Sequence, residues 1–364
     1  MALLAALCAL SENKDFNFKF SVFHVEHGLR EPKESRGDSD FVRDFCENRG
    51  IKCRIKCIAP GKIASFAQKN GTGIEAAARY FRHRALRREA ERIESCIDTC
   101  QGARNYKKVI ILLAHTKDDF FETALMRVLC GAGPAGLSAM KSGKDQGNGE
   151  RRENKERRTE GARCFSYAVI ARPLLEMTRG DVVGYLTEKN ISWREDSTNS
   201  DDKFLRNRIR HRLVPVLNEF FPEWKTGVAS VADTQSLVND FLAGEAGVRI
   251  KWELIPMTSQ CAYVSTEEEN FFSQPKIIRE EAVFMAVNLL SSFHASESIF
   301  GNIAKKSIKR SVVRQFCEGE VNAFDLGTVR IYRENGRITM SQKQKEFFES
   351  GISRLIKDSG CNNL

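Results

Sequence analysis

No stretch of this sequence approaches the about 20 consecutive apolar residues that a membrane helix needs. The longest apolar run, Met1 to Leu10, has no basic residue before it and continues into Ser11, Glu12 and Asn13. It therefore lacks the positive start and small-residue cleavage site of a secretory signal. No Cys-x-x-Cys pair occurs either, and the eleven cysteines are odd in number and scattered along the chain, with Cys53/Cys57 and Cys96/Cys100 four apart. This argues against zinc ribbons, Cys-x-x-Cys redox sites and a disulfide framework, and for reduced thiols in a cytoplasmic protein. The one Gly-x-Gly-x-x-Gly, Gly131–Gly136, follows a helical pattern instead of a strand. It fails the context of a dinucleotide fingerprint and reads as a helix stop followed by a Gly/Pro turn.

What is present suits a folded chain of two or three domains. Its 364 residues are 41% hydrophobic and 29% charged, and domains usually take ~100–200 residues each. Lys and Arg number 57 against 48 Asp and Glu, a net charge of +9. That balance fits a polyanionic partner, and equally fits plain solubility charge.

The first two hundred residues alternate between strand and helix periods. Phe18–Val25 is a β-rich apolar run, and Asp38–Asn48 puts Phe41, Val42 and Phe45 on one helical face before Gly50. Ile51–Ile58 sets Ile51, Cys53, Ile55 and Cys57 against Lys52, Arg54 and Lys56, the alternation of a half-exposed strand. Gly73–Cys96 is helical, Val109–Ala114 (VIILLA) reads as a buried parallel strand, and Asp118–Cys130 is helical again. Ala168–Ala171 gives a further strand and Arg179–Lys189 a further helix. Such alternation predicts an α/β fold with a Rossmann-like parallel sheet. Residues 141–163 are polar, Gly-rich and charged, and read as a surface insertion. After Phe220-Phe221-Pro222 the character changes to helical segments around Gly227–Gly244 and Arg279–Phe293, then a hairpin over Asn322–Met340 turning at Asn335-Gly336. A domain of residues 1–215 and a second, mainly helical α+β domain of 216–364 are expected, with the boundary near 213–225.

The sharpest local feature is VIILLA followed by HTKDDFFETALMRVL, His115 to Leu129. Asp118, Asp119 and Glu122 open a helix directly after a buried strand, at spacings that put them on one face. Ligands of open α/β sheets bind at the carboxyl ends of strands, where close carboxylates hold a magnesium ion, act as a general base or bind an amine. The same residues also read as a cap: Thr116-x-x-Asp119 matches a capping box, and first-turn acids complement the helix dipole. Arg79, Arg82, Arg84, Arg87, Arg88 and Arg92 crowd one helix, and Lys203, Arg206, Arg208, Arg210, His211 and Arg212 lie within ten residues. Phosphate binding is the natural use of the second cluster. Lys305, Lys306, Lys309, Arg310 and Arg314 make a third basic helix.

Six motifs occur in order: HVEHGLR (His24–Arg30), GIEAAARYFRHRAL (Gly73–Leu86), LLAHTKDDFFET (Leu112–Thr123), GAGPAGLSAM (Gly131–Met140), RPLLEMTRGDVVGYL (Arg172–Leu186) and WREDSTNSDDKFLRNRIRHRLVPVL (Trp193–Leu217). Together the chain resembles the tRNA(Ile)-lysidine synthases, members of the N-type ATP pyrophosphatase (PP-loop) superfamily, closely over about residues 1–225. The resemblance implies that ATP, with Mg2+, adenylates the wobble cytidine of a tRNA(Ile) with a CAU anticodon at C2, and that free lysine then displaces AMP to give lysidine. It implies Asp119 and Glu122, with Asp118 beside them, as the acidic group handling cytidine and lysine. It places Arg79, Arg82, His24, His27, Gly28 and His115 at the ATP and lysine sites, and Arg206, Asn207, Arg208, Arg210, His211 and Arg212 on the tRNA. The family's phosphate loop, SGGxDS, is absent from the sequence, and Met1–Leu7 resembles the helix that follows it. The resemblance thus leaves two expectations: a tRNA ligase starting at an internal methionine, and a non-catalytic or truncated tRNA-binding relative. A tRNA thiolase of the same superfamily is disfavoured by the missing Cys-x-x-Cys.

Overall fold

The computed structural model describes residues 1–29, 32–99, 109–138, 169–195, 202, 204–257, 262–293, 308, 310–326 and 329–342. The insertion read at 141–163, most of the polar loop before residue 202, and Lys203, Lys305, Lys306 and Lys309 lie outside them. The chain divides into two compact units, Met1–Ser236 and Leu237–Leu364.

In the first unit, α1 (Ala2–Glu12) precedes β1 (Val22–Glu26), α2 (Pro32–Glu47), β2 (Cys53–Cys57), α3 (Lys62–Lys69) and α4 (Ile74–Thr99). Then come β3 (Ile110–Leu112), α5 (Lys117–Leu129), α6 (Pro134–Leu137), β4 (Val169–Ala171) and α7 (Arg179–Glu188). The chain continues through α8 (Leu205–Arg208), a π-helical turn (Ile209–Leu213), α9 (Val214–Phe220) and α10 (Trp224–Arg249). Each helix and strand expected within this span forms, with ends shifted by a few residues.

All strand pairing here is parallel, as the alternation predicts. β1 pairs β2, with Val22 opposite Cys53, and β3 pairs β4, with Ile110 opposite Val169. Among the described residues these are two separate two-stranded pieces and not one continuous sheet. Helix α4 packs against both β1 and β3 and so links them. The VIILLA strand is less enclosed than its composition suggests: Ile111 is buried, but Ile110 and Leu112 are 45% and 36% exposed.

Local chemistry explains how the elements start and stop. Thr116 and Thr178 build capping boxes on α5 and α7, with Asp119 and Asp181 as the reciprocal acids. The Gly131–Gly136 segment stops α5, and Arg127 donates from Nη1 to the Gly136 carbonyl at 2.7 Å. At the end of β1, Gly28 has φ +63°, and a Cβ there would lie 2.7 Å from the Ile58 carbonyl oxygen. Only glycine satisfies both conditions. Beyond it, Ile58, Ile63, Ala67 and Ala77 form a buried cluster under Phe66 and Phe81.

The expected boundary near 213–225 differs from the division at Ser236/Leu237, which falls inside α10. The Phe-Phe-Pro break ends only α9. Trp224, buried, packs its ring edge-on against Phe121 at 5.3 Å and donates Nε1 to Asn218 at 2.9 Å, so the start of α10 stays with the first unit.

The second unit holds β5 (Glu253–Pro256), β6 (Ala262–Glu267), α11 (Glu268–Ser273), α12 (Lys276–Phe293), α13 (Arg310–Cys317), β7 (Ala323–Leu326), β8 (Val329–Glu334) and β9 (Arg337–Gln342). The hairpin turns at Asn335-Gly336, both at positive φ as that dipeptide favours. It belongs to a five-stranded antiparallel sheet ordered β5-β6-β9-β8-β7, more strand than the mainly helical reading expected. Helices α12 and α13 cover it over a core of Phe271, Val283, Phe316, Ile331, Ile338 and Met340. Arg310 and Arg314 of the third basic stretch pair with buried Glu280, at 3.1 Å each, and Arg310 is largely withdrawn from solvent.

Gly28→Ala meets both a left-handed φ and a backbone oxygen. It is expected to destabilise the chain by about 1–3 kcal/mol, read from chemical denaturation. An unchanged midpoint would show that the β1 exit loop moves aside freely.

Candidate active site

Asp118, Asp119 and Glu122 stand on the first turns of α5, immediately after β3. Asp119 divides its two oxygens. Oδ2 accepts from the Thr116 backbone N–H at 2.8 Å and from its hydroxyl at 3.1 Å, which completes the cap. Oδ1 accepts from Arg206 Nη2 at 2.6 Å. Glu122 is only 3% exposed. Its Oε2 accepts from Arg206 Nε at 2.7 Å and Arg210 Nη2 at 3.0 Å, and its Oε1 from Arg210 Nε at 2.6 Å. Asp118 accepts from the Arg179 backbone N–H at 2.7 Å, with Lys225 Nζ at 3.9 Å. The cap reading and the charged-cluster reading of these acids thus hold at once.

The basic stretch Arg206–Arg212 divides by face. Arg206 and Arg210, four apart and so neighbours on a helix, turn inward to the acids, and Asn207 is buried. Arg208, His211 and Arg212 are exposed, and Arg212 pairs with Asp202 at 2.7 Å. The hydrogen bonds that Arg210 donates to Glu122 raise the Arg210 pKa above its ordinary value.

On α4, Arg79 and Arg82 are half-buried. Burial, followed by the charges of Arg82, Arg172, Arg127 and Arg206, lowers the Arg79 pKa to about 10. Burial and then Arg206 lower that of Arg82, against a small opposing pull from Glu75. His115 and His83 sit in the same field. Burial lowers His115 to about 4, with Asp119 opposing and Arg172, Arg82 and Arg79 reinforcing. Burial, then Arg79, Arg82, Arg87 and Arg172, lowers His83 to about 3. Both imidazoles are neutral at pH 7. Arg82 Nε, His83 Nε2 and His115 Nδ1 are buried without a hydrogen-bond partner among the described residues. A basic cluster with unspent buried nitrogens suits a phosphate-bearing ligand. His24 and His27, on β1 and just after it, are half-buried, and Gly28 follows them.

Sequence reasoning gave no role to His83 or to Arg172, a residue only 3% exposed. Both lie within quoted motifs, His83 between two singled-out arginines and Arg172 one residue after β4, and that placement was the available signal. It also missed a cavity of about 460 Å3 beside the acids, walled by Phe121, Val214 and Trp224, with Arg179 and Lys225 among its lining. No group of three His, Cys, Asp or Glu side chains able to hold a metal ion occurs among the described residues. Asp119 and Glu122 are engaged by guanidinium groups, so these acids do not form a ready Mg2+ cage. No helix among the described residues is long and apolar enough to cross a membrane.

The depressed histidines set a pH dependence. Unfolded, both take up a proton near pH 6.5; folded, they stay neutral to about pH 3–4. The unfolded state therefore binds more protons between about pH 4 and 6.5, and stability falls as pH falls through that window. His83→Asn is expected to flatten the decline by up to ~1.4 kcal/mol per pH unit, measured as unfolding free energy at pH 7 and pH 5. An equal slope in parent and variant would place His83 in a wetter, uncharged setting.

Residues 1–217 match the PP-loop domain family. The chain is similar to a tRNA(Ile)-lysidine synthase of Treponema denticola, 34% identical over 66% of this chain and 44% of that protein. It is similar to those of Solibacter usitatus, 30% identical over 73% and 49%, and Shouchella clausii, 31% identical over 68% and 44%. It spans about half the length of the curated relatives it matches. A solved U34-tRNA thiolase of Methanococcus maripaludis aligns at TM-score 0.45 with 14% identity, over 65% of this chain and 68% of that one. Parallel strand pairs with helices between them, acids at the head of the helix after β3 and a match across residues 1–217 agree, and the chain belongs to the PP-loop domain family.

Proposed function

We propose that this protein takes part in ATP-dependent ligation of free lysine to C2 of the wobble cytidine of a tRNA(Ile) with a CAU anticodon, through an adenylated tRNA. The carrying observation is that Asp119 and Glu122 meet a field of arginines at the carboxyl end of β3. Arg79, Arg82 and Arg172, with the neutral His83 and His115, would hold the ATP phosphates; fixed positive charge there favours departure of pyrophosphate. ATP supplies the adenylyl group that turns the cytidine C2 oxygen into a leaving group. Asp119 and Glu122 select an ammonium by charge and, once the amine is engaged, take its proton as it attacks. Arg208, His211 and Arg212, on the exposed face, would meet RNA phosphates. The relatives' names support this reading, and lysine suits an acid pair of which Glu122 is buried.

A non-catalytic tRNA-binding role is the second reading. The observation favouring it is that Arg206 and Arg210 already pair with both acids.

Lysidine in a tRNA(Ile) transcript, measured by mass spectrometry of nuclease digests after incubation with ATP and lysine, separates the two. Product is expected, with Glu122→Gln slower by ~10²–10⁴. Intact tRNA binding without product would favour the second reading.

Arg208→Ala and Arg212→Ala should each lower the slope of log K against log salt by roughly 0.7–0.9 for tRNA binding. An unchanged slope in the double variant would remove this face from the RNA contact.

A further inference from the structure

Both acids are already paired with cations. Both Glu122 oxygens and Asp119 Oδ1 accept guanidinium hydrogens at 2.6–3.0 Å, and Asp119 Oδ2 is committed to the Thr116 cap. An amine arriving from solution finds every carboxylate oxygen already hydrogen-bonded, with one lone pair left on Glu122 Oε1 and one on Asp119 Oδ1. Yet the cavity beside them is lined by both acids and by Arg210, and it is large enough for an amino acid.

An ammonium and a guanidinium bind a carboxylate through the same N–H to oxygen contact. One can replace the other without baring the buried charge of Glu122, whereas simply emptying the site would leave that charge uncompensated. The arginines are also the members able to leave. Their side chains are 27% and 24% exposed, against 4% for that of Glu122. The short segment carrying them, α8 and the π-turn, shows Arg208, His211 and Arg212 on its exposed face. A phosphate chain pulling on that face pulls on the element that seats Arg206 and Arg210.

We propose that Arg206 and Arg210 are positioning residues that stand in for the substrate amine, holding Asp119 and Glu122 in place, and that RNA contact with the exposed face of residues 205–213 exchanges guanidinium for amine. The proposal rests on the lysine-ligation reading and adds an order to it: RNA first, amine second. The exchange forms and breaks no covalent bond, and one ammonium replaces one guanidinium, so the positive charge facing the acids is kept.

The test is equilibrium dialysis of radiolabelled lysine against the full chain, with and without saturating tRNA(Ile) transcript. Parent protein is expected to bind lysine about 5–150-fold more tightly with RNA present, the usual span of a coupling between two sites. Arg210→Ala is expected to bind lysine without RNA more tightly than the parent does, and to lose most of the RNA effect. Added methylguanidinium should compete with lysine on that variant by refilling the vacated place. Where circular dichroism shows Arg210→Ala unfolded, Arg210→Lys serves, its shorter single-point cation giving a smaller shift in the same direction. Equal lysine affinity with and without RNA, together with no gain in the folded variant, overturns the stand-in role while leaving lysine as substrate. Absence of lysine binding by every form, with tRNA bound, overturns the ligation reading itself.

Discussion

Glu122 is a carboxylate almost wholly withdrawn from water, and its burial is tolerable because two guanidinium groups reach it. Removing one partner of a buried pair commonly costs ~3–5 kcal/mol, since the survivor is left charged and dry. The ion cluster therefore fixes more than two side chains. It sets the distance between α5 and the segment starting at Leu205, and it shapes one wall of the cavity that Phe121 and Trp224 close from another side. Asp119 joins this cluster to the start of α5, because the same carboxylate caps the helix and holds Arg206.

The arginine field around Arg79 follows a different logic. There the cations face one another, with Glu75 as the acid opposing their effect on Arg82. Burial and mutual repulsion depress pKa values across the group and keep both imidazoles uncharged. Two neighbouring regions thus differ in their electrostatics: one neutralised by ion pairing beside a cavity, one positive with unpartnered buried nitrogens.

Much of this was legible in the residues. VIILLA followed by His-Thr-x-Asp-Asp announced a strand and a capped helix, because apolar runs and capping boxes are local signals. Asn335-Gly336 announced its turn for the same reason. The pairing of Asp119 with Arg206, 87 positions apart, carries no local signature, so the basic stretch read as one RNA-facing surface when it is two faces with different partners. The boundary slipped because Phe220-Phe221-Pro222 marks a break in the chain, whereas the ring contact holding Trp224 to Phe121 is long-range. His83 went unassigned because a histidine between arginines on an amphipathic helix carries no mark of its burial.

The π-turn at Ile209–Leu213 amounts to one extra residue within a helical run. A residue in an α-helix advances about 100° around the axis, from 3.6 residues per turn. Deleting a single codon in this stretch would give a straighter helix and turn Val214–Phe220 by that angle against Arg206. Val214 would swing out of the cavity wall while Arg206, upstream of the turn, stayed seated. The segment is geared: its inward arginines and its apolar wall keep their alignment only while that one surplus residue is kept, so a gap of one here would be less tolerable in evolution than many substitutions.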